Sequence, residues 1–126
     1  MRTGKVEVNG KDYLLCFSLI AVRACTERYG AVEKIFDALN DKSELKQLDE
    51  SLWLLSLMMD CGARYADEEN IENPKPLSVD ELYDTVDLSD MFKIKTAVAA
   101  TISNGNERNV ETVPDKKKKE KAAQAK

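Results

Sequence analysis

Three cysteines are the residues of this chain most able to do nucleophilic or redox chemistry, and they lie far apart at Cys16, Cys25 and Cys61. A cysteine nucleophile usually works beside a histidine base, and the 126 residues contain no histidine. The spacing matches no paired-cysteine metal motif, and each cysteine lies in an apolar or helical stretch. We therefore expect reduced thiols packed in a core, in a protein that binds no cofactor and is not an enzyme.

Carboxylates cluster at Asp67, Glu68, Glu69 and Glu72. Such oxygens are the ligands of hard cations, but a calcium-binding loop also needs alternating ligand spacing and a turn glycine. This segment has neither and closes with two prolines, which favour an irregular loop. We expect a solvated acidic loop and no metal site.

A run of four lysines, Lys116 to Lys119, has the chemistry to bind a polyanion. Residues 106–126 carry 7 basic and 4 acidic side chains (+3), whereas residues 1–105 carry 12 and 19 (−7). No aromatic residues are interleaved with the lysines for base stacking. Two interpretations stay open: a charged, disordered, solubilising tail, or a small regulatory protein that binds nucleic acid through this tail.

The dipeptide Asn9-Gly10 separates alternating Val6 and Val8 from an apolar run. Both residues of this dipeptide tolerate the positive φ of a tight type I′ turn, so the pattern predicts a β-hairpin over 4–17. Its strands lie near 4–8 and 11–17, with the first strand at an edge. The second is apolar enough to be covered on both faces or used for pairing.

Apolar residues then recur at helical spacing in several segments. The predicted helices span about 18–29, 31–39, 45–66, 79–86 and 88–103, and 45–66 is the central buried one. Polar residues and glycines mark the predicted starts and stops: Ser18, Gly30, the pair Ser78 and Glu81, Asp87 and Asn104-Gly105.

These elements predict an α+β fold: one domain over residues 1–105, with an N-terminal hairpin and about four to five helices, mostly helical, followed by a disordered charged tail over 106–126. No apolar run approaches the length of a membrane span, and the N-terminus lacks a signal-peptide pattern. We expect a cytoplasmic protein.

The first thirty residues resemble the tail assembly chaperones of long-tailed phages and prophages. The similar features are a short strand, Val6-Glu7-Val8; a turn, Asn9-Gly10-Lys11-Asp12-Tyr13; an apolar strand, Leu14 to Phe17; and a helix closing with Glu27-Arg28-Tyr29-Gly30. The order of the later helices is also similar, so the resemblance spans about residues 5 to 105.

The resemblance implies a non-enzymatic chaperone that binds the tape measure protein while the tail is assembled. It further implies action in the host cytoplasm, absence from the mature virion, and the tail tube protein or a second copy of the chain as further partners. Many such families make a longer product by ribosomal frameshifting, and Lys116 to Lys119 would require the A-rich codons on which ribosomes slip.

The resemblance supplies no binding residues, so candidate contacts come from the pattern of apolar side chains. Val6 and Val8 lie on the edge strand, where a partner segment could pair. The other candidates are large apolar side chains on predicted helices: Trp53, Met58, Met91 and Ile94. Each candidate depends on exposure at the surface, and burial would exclude it.

Overall fold

The computed structural model describes residues 2–110. A two-stranded antiparallel hairpin precedes five helices, which confirms the predicted α+β class. The elements are β1 (Thr3–Val8), β2 (Lys11–Cys16), α1 (Leu19–Tyr29), α2 (Lys34–Leu39), α3 (Glu44–Glu68), α4 (Val79–Thr85), a 3-10 turn (Leu88–Asp90) and α5 (Met91–Val110). No helix within 2–110 is long and apolar enough to cross a membrane.

The hairpin forms at the predicted turn. Asn9 and Gly10 have φ values of 53° and 78°, the positive values that a two-residue type I′ turn requires. Val8 pairs with Lys11 next to the turn, and Thr3 pairs with Cys16 at the open end. The strands therefore begin and end within one residue of the predicted positions.

The hairpin backbone packs directly on two helices. A Cβ atom at Gly62 of α3 would lie 1.9 Å from the carbonyl oxygen of Leu14, and one at Gly4 of β1 would lie 2.1 Å from Oγ1 of Thr101 on α5. At Gly62 the contact is with backbone, so a side chain would fit only if β2 moved, whereas at Gly4 the contact is with the side chain of Thr101. Helix α3 thus lies against β2, and α5 lies against β1.

Helix α3 is the centre of the core, as predicted. Its Leu52, Leu54, Leu55, Met58 and Met59 are all buried, and they pack in one cluster with the inward side chains of the hairpin and of α5. The helix begins one residue before the predicted start, because the Ser43 hydroxyl accepts a hydrogen bond from the Lys46 N–H.

Most predicted helix boundaries are confirmed by their capping geometry. Ser78 and Glu81 form a reciprocal capping box at the start of α4, and Gly30 ends α1 in the left-handed conformation. Asp87 and Asp90 form a second capping box, which starts the 3-10 turn. Ser18 occupies the N-cap position of α1, but its side chain makes no capping hydrogen bond.

Four local predictions are wrong. Helix α3 runs to Glu68, so Asp67 and Glu68 of the predicted acidic loop are helical. Helix α2 begins at Lys34 because the preceding residues form a turn, in which the Lys34 N–H donates to the Ala31 carbonyl. Helical spacing predicts Leu19 on the apolar stripe of α1 with Cys25, but Leu19 is 80% exposed, since α1 turns its Ala21 and Cys25 side inward. Helix α5 passes the predicted stop at Gly105 and continues to Val110.

At the predicted stop, helix α5 is in contact with the hairpin. Gly105 lies against Phe17, where a Cβ atom would be 2.8 Å from the ring, so this part of the helix packs on the end of the hairpin. The helix itself continues over residues 106–110. The rest of the predicted tail lies outside the described residues.

Candidate functional site

Four of the six predicted partner contacts are buried, so those predictions are wrong. Val6 and Val8 are 4% and 2% exposed because their face of β1 packs against α5. Met58 and Ile94 are fully buried on the inner sides of α3 and α5. A partner could reach these side chains only by opening the core.

Trp53 is partly exposed, but its ring already has partners within the chain. The guanidinium carbon of Arg28 lies 4.3 Å from the ring centroid, a cation–π distance. The Tyr29 ring meets the indole edge to face, at 6.0 Å between centroids. Trp53 therefore helps to hold the end of α1 against α3, which makes it a poor anchor for a partner.

Glu50 completes this contact between α1 and α3. Its carboxylate accepts hydrogen bonds from Arg28 Nε at 2.9 Å, from Arg28 Nη2 at 3.1 Å and from the Tyr29 hydroxyl at 2.6 Å. The hydrogen bonds from Arg28 hold the pKa of Glu50 below its usual value, although burial opposes this. The cluster is fully satisfied, so its role is structural.

Met91, the sixth candidate, is partly buried beside an exposed group of apolar side chains. Leu88 is 86% exposed, Phe92 is 82% exposed, and Leu45 is 67% exposed. Single exposed leucines are common on protein surfaces, but large apolar side chains grouped around one depression indicate a site of interaction.

These residues surround a depression between the start of α3 and the start of α5, which we call the apolar groove. It has a volume of about 500 Å³, and its apolar lining consists of Leu45, Leu48, Leu88, Met91 and Phe92. Leu48, Leu88 and Met91 also line a smaller depression of about 170 Å³ toward α4. The two depressions therefore form one continuous apolar surface.

Three polar residues, Glu44, Gln47 and Lys95, complete the lining of the apolar groove. Two of them bind each other, since Lys95 Nζ donates to Gln47 Oε1 at 2.9 Å. A small-molecule site usually has several polar groups that converge on its ligand. The apolar groove instead has an apolar floor with polar residues beside it, which suits the apolar face of a protein segment.

The backbone edge of β1 is the other predicted contact. By the register, Thr3, Lys5 and Glu7 direct their backbone groups away from β2. Asn104 of α5 donates to the Thr3 carbonyl at 3.0 Å, and Lys93 of α5 lies 4.0 Å from the Glu7 carboxylate. Helix α5 thus flanks this edge, so β1 is less open to a pairing strand than the sequence predicted.

Sequence reasoning missed the main residues of the apolar groove. Leu45 and Leu88 follow the helical apolar stripes, so periodicity assigned them to buried faces. Phe92 lies off the stripe of Met91, Ile94 and Val98, so helical periodicity predicts no contact for it. A large aromatic residue beside a complete core stripe is the signal that would have found it.

The cysteines do not line the apolar groove. All three cysteines are buried, and burial raises the pKa of Cys25 to about 11, so its thiol stays protonated at neutral pH. In the described part of the chain, no three cysteine or carboxylate side chains stand close enough to hold a metal ion. Lys116 to Lys119 lie outside the described residues.

Comparison of the chain with protein-family models, with curated proteins and with solved structures found no match.

Proposed function

We propose that this protein is a non-enzymatic tail assembly chaperone that binds an apolar helical segment of a phage tape measure protein in the apolar groove. The observation that carries the proposal is the exposure of Leu45, Leu88 and Phe92 around one depression. Keeping three large apolar side chains in water gives up the free energy that their burial would provide, about 1.5 to 3 kcal/mol for each. A partner that covers them recovers part of that free energy.

The geometry favours a helical partner segment. The apolar groove lies between two helices, and an amphipathic helix inserts side chains at i, i+3 or i+4 and i+7 into such a site. A tape measure segment with an apolar helical face fits this description. The proposal places the protein in the host cytoplasm during assembly and not in the mature virion, with the tail tube protein as a second partner.

Co-expression with the tape measure protein of the same genome tests the proposal. We expect the chain to raise the amount of tape measure protein in the cleared supernatant and to copurify with it. Serine substitution of the exposed residues, L45S/L88S/F92S, should abolish both effects. Because these side chains are exposed, the triple variant should keep its fold, as checked by circular dichroism and thermal unfolding.

A matched control uses the exposed apolar pair on α1. Leu19 is 80% exposed and Ile20 is 51% exposed, and neither lines the apolar groove. The L19S/I20S variant removes a similar kind of surface and should still bind the tape measure protein. If L19S/I20S abolishes binding and L45S/L88S/F92S does not, the proposed site is wrong. If the native chain itself does not raise the recovery of soluble tape measure protein, the chaperone function is wrong.

Gene order provides a separate test of the same proposal. We expect a major tail protein gene upstream and a very long tape measure gene downstream. We also expect the codons for Lys116 to Lys119 to form an A-rich run with an overlapping reading frame. A gene with unrelated neighbours would contradict the proposed function.

A further inference from the structure

The border of the apolar groove is acidic on the side of α4. Residues 79–90 carry five carboxylates and no lysine or arginine: Asp80, Glu81, Asp84, Asp87 and Asp90. Asp87 lines the smaller depression, and Glu44 lines the apolar groove itself from the α3 side. An apolar surface is thus bordered by negative charge on both sides.

Two lysines lie near this surface, and only Lys93 has acidic partners; Lys95 bonds a neutral amide and keeps its charge in the lining. Lys95 donates to Gln47, and Lys93 lies 3.8 Å from Asp90 and 4.0 Å from Glu7. Of the border carboxylates, Asp84, Asp87 and Glu44 are exposed, and no ion pair to a described residue offsets them. The linings of the two depressions together hold two carboxylates, Glu44 and Asp87, and one lysine, Lys95, so their net charge is negative.

We propose that the apolar groove selects an amphipathic helix whose apolar stripe is flanked by lysine or arginine. This inference rests on the proposed function and adds the charge of the partner segment. The apolar stripe supplies affinity by covering Leu45, Leu88 and Phe92. The flanking basic residues meet the acidic border, which speeds association and disfavours acidic helices of equal hydrophobicity.

The same charges argue against a second copy of this chain as the occupant. A two-fold contact places the same patch of both copies face to face. Two patches of the same net negative charge would then be brought together, which is unfavourable. A segment with basic flanks covers the apolar groove without this repulsion.

Two synthetic helical peptides of about 20 residues test the inference. Both carry the same leucine stripe at i, i+3, i+4 and i+7, one with lysines beside the stripe and the other with glutamates. Fluorescence anisotropy with the full chain gives the dissociation constants. At low salt, about 0.05 M, we expect the lysine peptide to bind about tenfold more tightly, and at about 0.5 M the difference should shrink because salt screens exposed charges.

Variants that replace carboxylates with amides show which charges cause the preference for the lysine peptide. E44Q/D84N/D87N removes three border charges and keeps an asparagine at the Asp87 cap, where it also functions well. It should lower the affinity for the lysine peptide and leave the glutamate peptide unchanged or better bound. D60N/E69Q/E72Q removes three exposed carboxylates elsewhere and should change neither affinity.

The outcomes separate the two proposals. If both peptides bind equally at low salt, charge selection is wrong while binding in the apolar groove stands. If neither peptide binds, the apolar groove is not a helix-binding site, and both proposals fail. A dimer of the chain by sedimentation, abolished by L45S/L88S/F92S, would show that a second copy occupies the apolar groove and would overturn the inference.

Discussion

Glu50 shows how one charged side chain can hold two helices together. It lies on α3, is 9% exposed, and receives hydrogen bonds from Arg28 and Tyr29 at the end of α1. Arg28 in turn covers the Trp53 ring. A nearly buried carboxylate is stable here because both of its oxygens accept hydrogen bonds from a positive partner.

We predict that E50Q destabilises the protein by about 1 to 2 kcal/mol at pH 7, since it replaces charge-assisted hydrogen bonds with neutral ones. The folded-state pKa of Glu50 is lowered from 4.5, so its contribution to stability is present above the unfolded pKa and is lost as the pH falls through the folded value. The difference between E50Q and the native chain should therefore narrow as the pH falls below about 4.5, as measured by urea unfolding.

E27Q is the control for this measurement. Glu27 faces Arg23 at 3.8 Å, with both side chains exposed, and such pairs contribute little to stability. The E27Q variant should match the native chain at every pH. A pH profile for E50Q that runs parallel to the native profile would contradict the proposed role of the Glu50 carboxylate.

At the scale of elements, the hairpin depends on two glycines that allow its backbone to touch helices. Gly62 lies against the Leu14 carbonyl, and Gly4 lies against Thr101. Both contacts are between residues far apart in the chain. The helical pattern of α3 does not distinguish Gly62 from any other small residue, so the need for glycine there becomes visible only when β2 is in place.

We predict that G62A destabilises the protein by about 3 kcal/mol, because its Cβ atom would press on a backbone oxygen that cannot move without shifting β2. G105A is the matched comparison, since its Cβ atom would meet a side chain, that of Phe17, at 2.8 Å and not a backbone atom. It should change the free energy of unfolding by less than about 1 kcal/mol, partly because alanine favours a helix. Equal effects in chemical denaturation would contradict the close packing of α3 on β2.

At the scale of the whole molecule, charge is divided unequally along the chain. Residues 1–105 carry 12 basic and 19 acidic side chains (−7), and residues 106–126 carry 7 and 4 (+3). The apolar groove belongs to the acidic part, and the lysine run belongs to the basic part. The chaperone proposal and the nucleic-acid alternative therefore depend on different segments and can be separated by deletion.

We predict that deletion of residues 114–126 leaves binding of the tape measure protein unchanged, because the lining of the apolar groove comes from α3, the 3-10 turn and α5. Copurification of the truncated chain checks this. The alternative function predicts binding of labelled DNA or RNA that weakens steeply with salt and disappears on deletion. Nucleic-acid binding of that kind, with no tape measure binding by the full chain, would favour the alternative.

Local signals were enough to predict most of the fold. The Asn9-Gly10 turn, the capping box of Ser78 and Glu81, and the stop at Gly30 each depend on the conformations that those residues favour within a few positions. The end of α5 was mispredicted. The helix continues past Asn104-Gly105, and Gly105 there lies against Phe17, a residue far away in the chain.

The sequence by itself determined the order of elements, the central position of α3 and the burial of the middle of its apolar stripe, because periodicity and capping are local properties. Only the tertiary structure decided which apolar residues stay in water. Val6, Val8, Met58 and Ile94 are covered by neighbouring elements, whereas Leu45, Leu88 and Phe92 lie where α3 and α5 begin and no described element covers them. Exposure depends on how distant segments meet, and the spacing of residues along one helix does not contain that information.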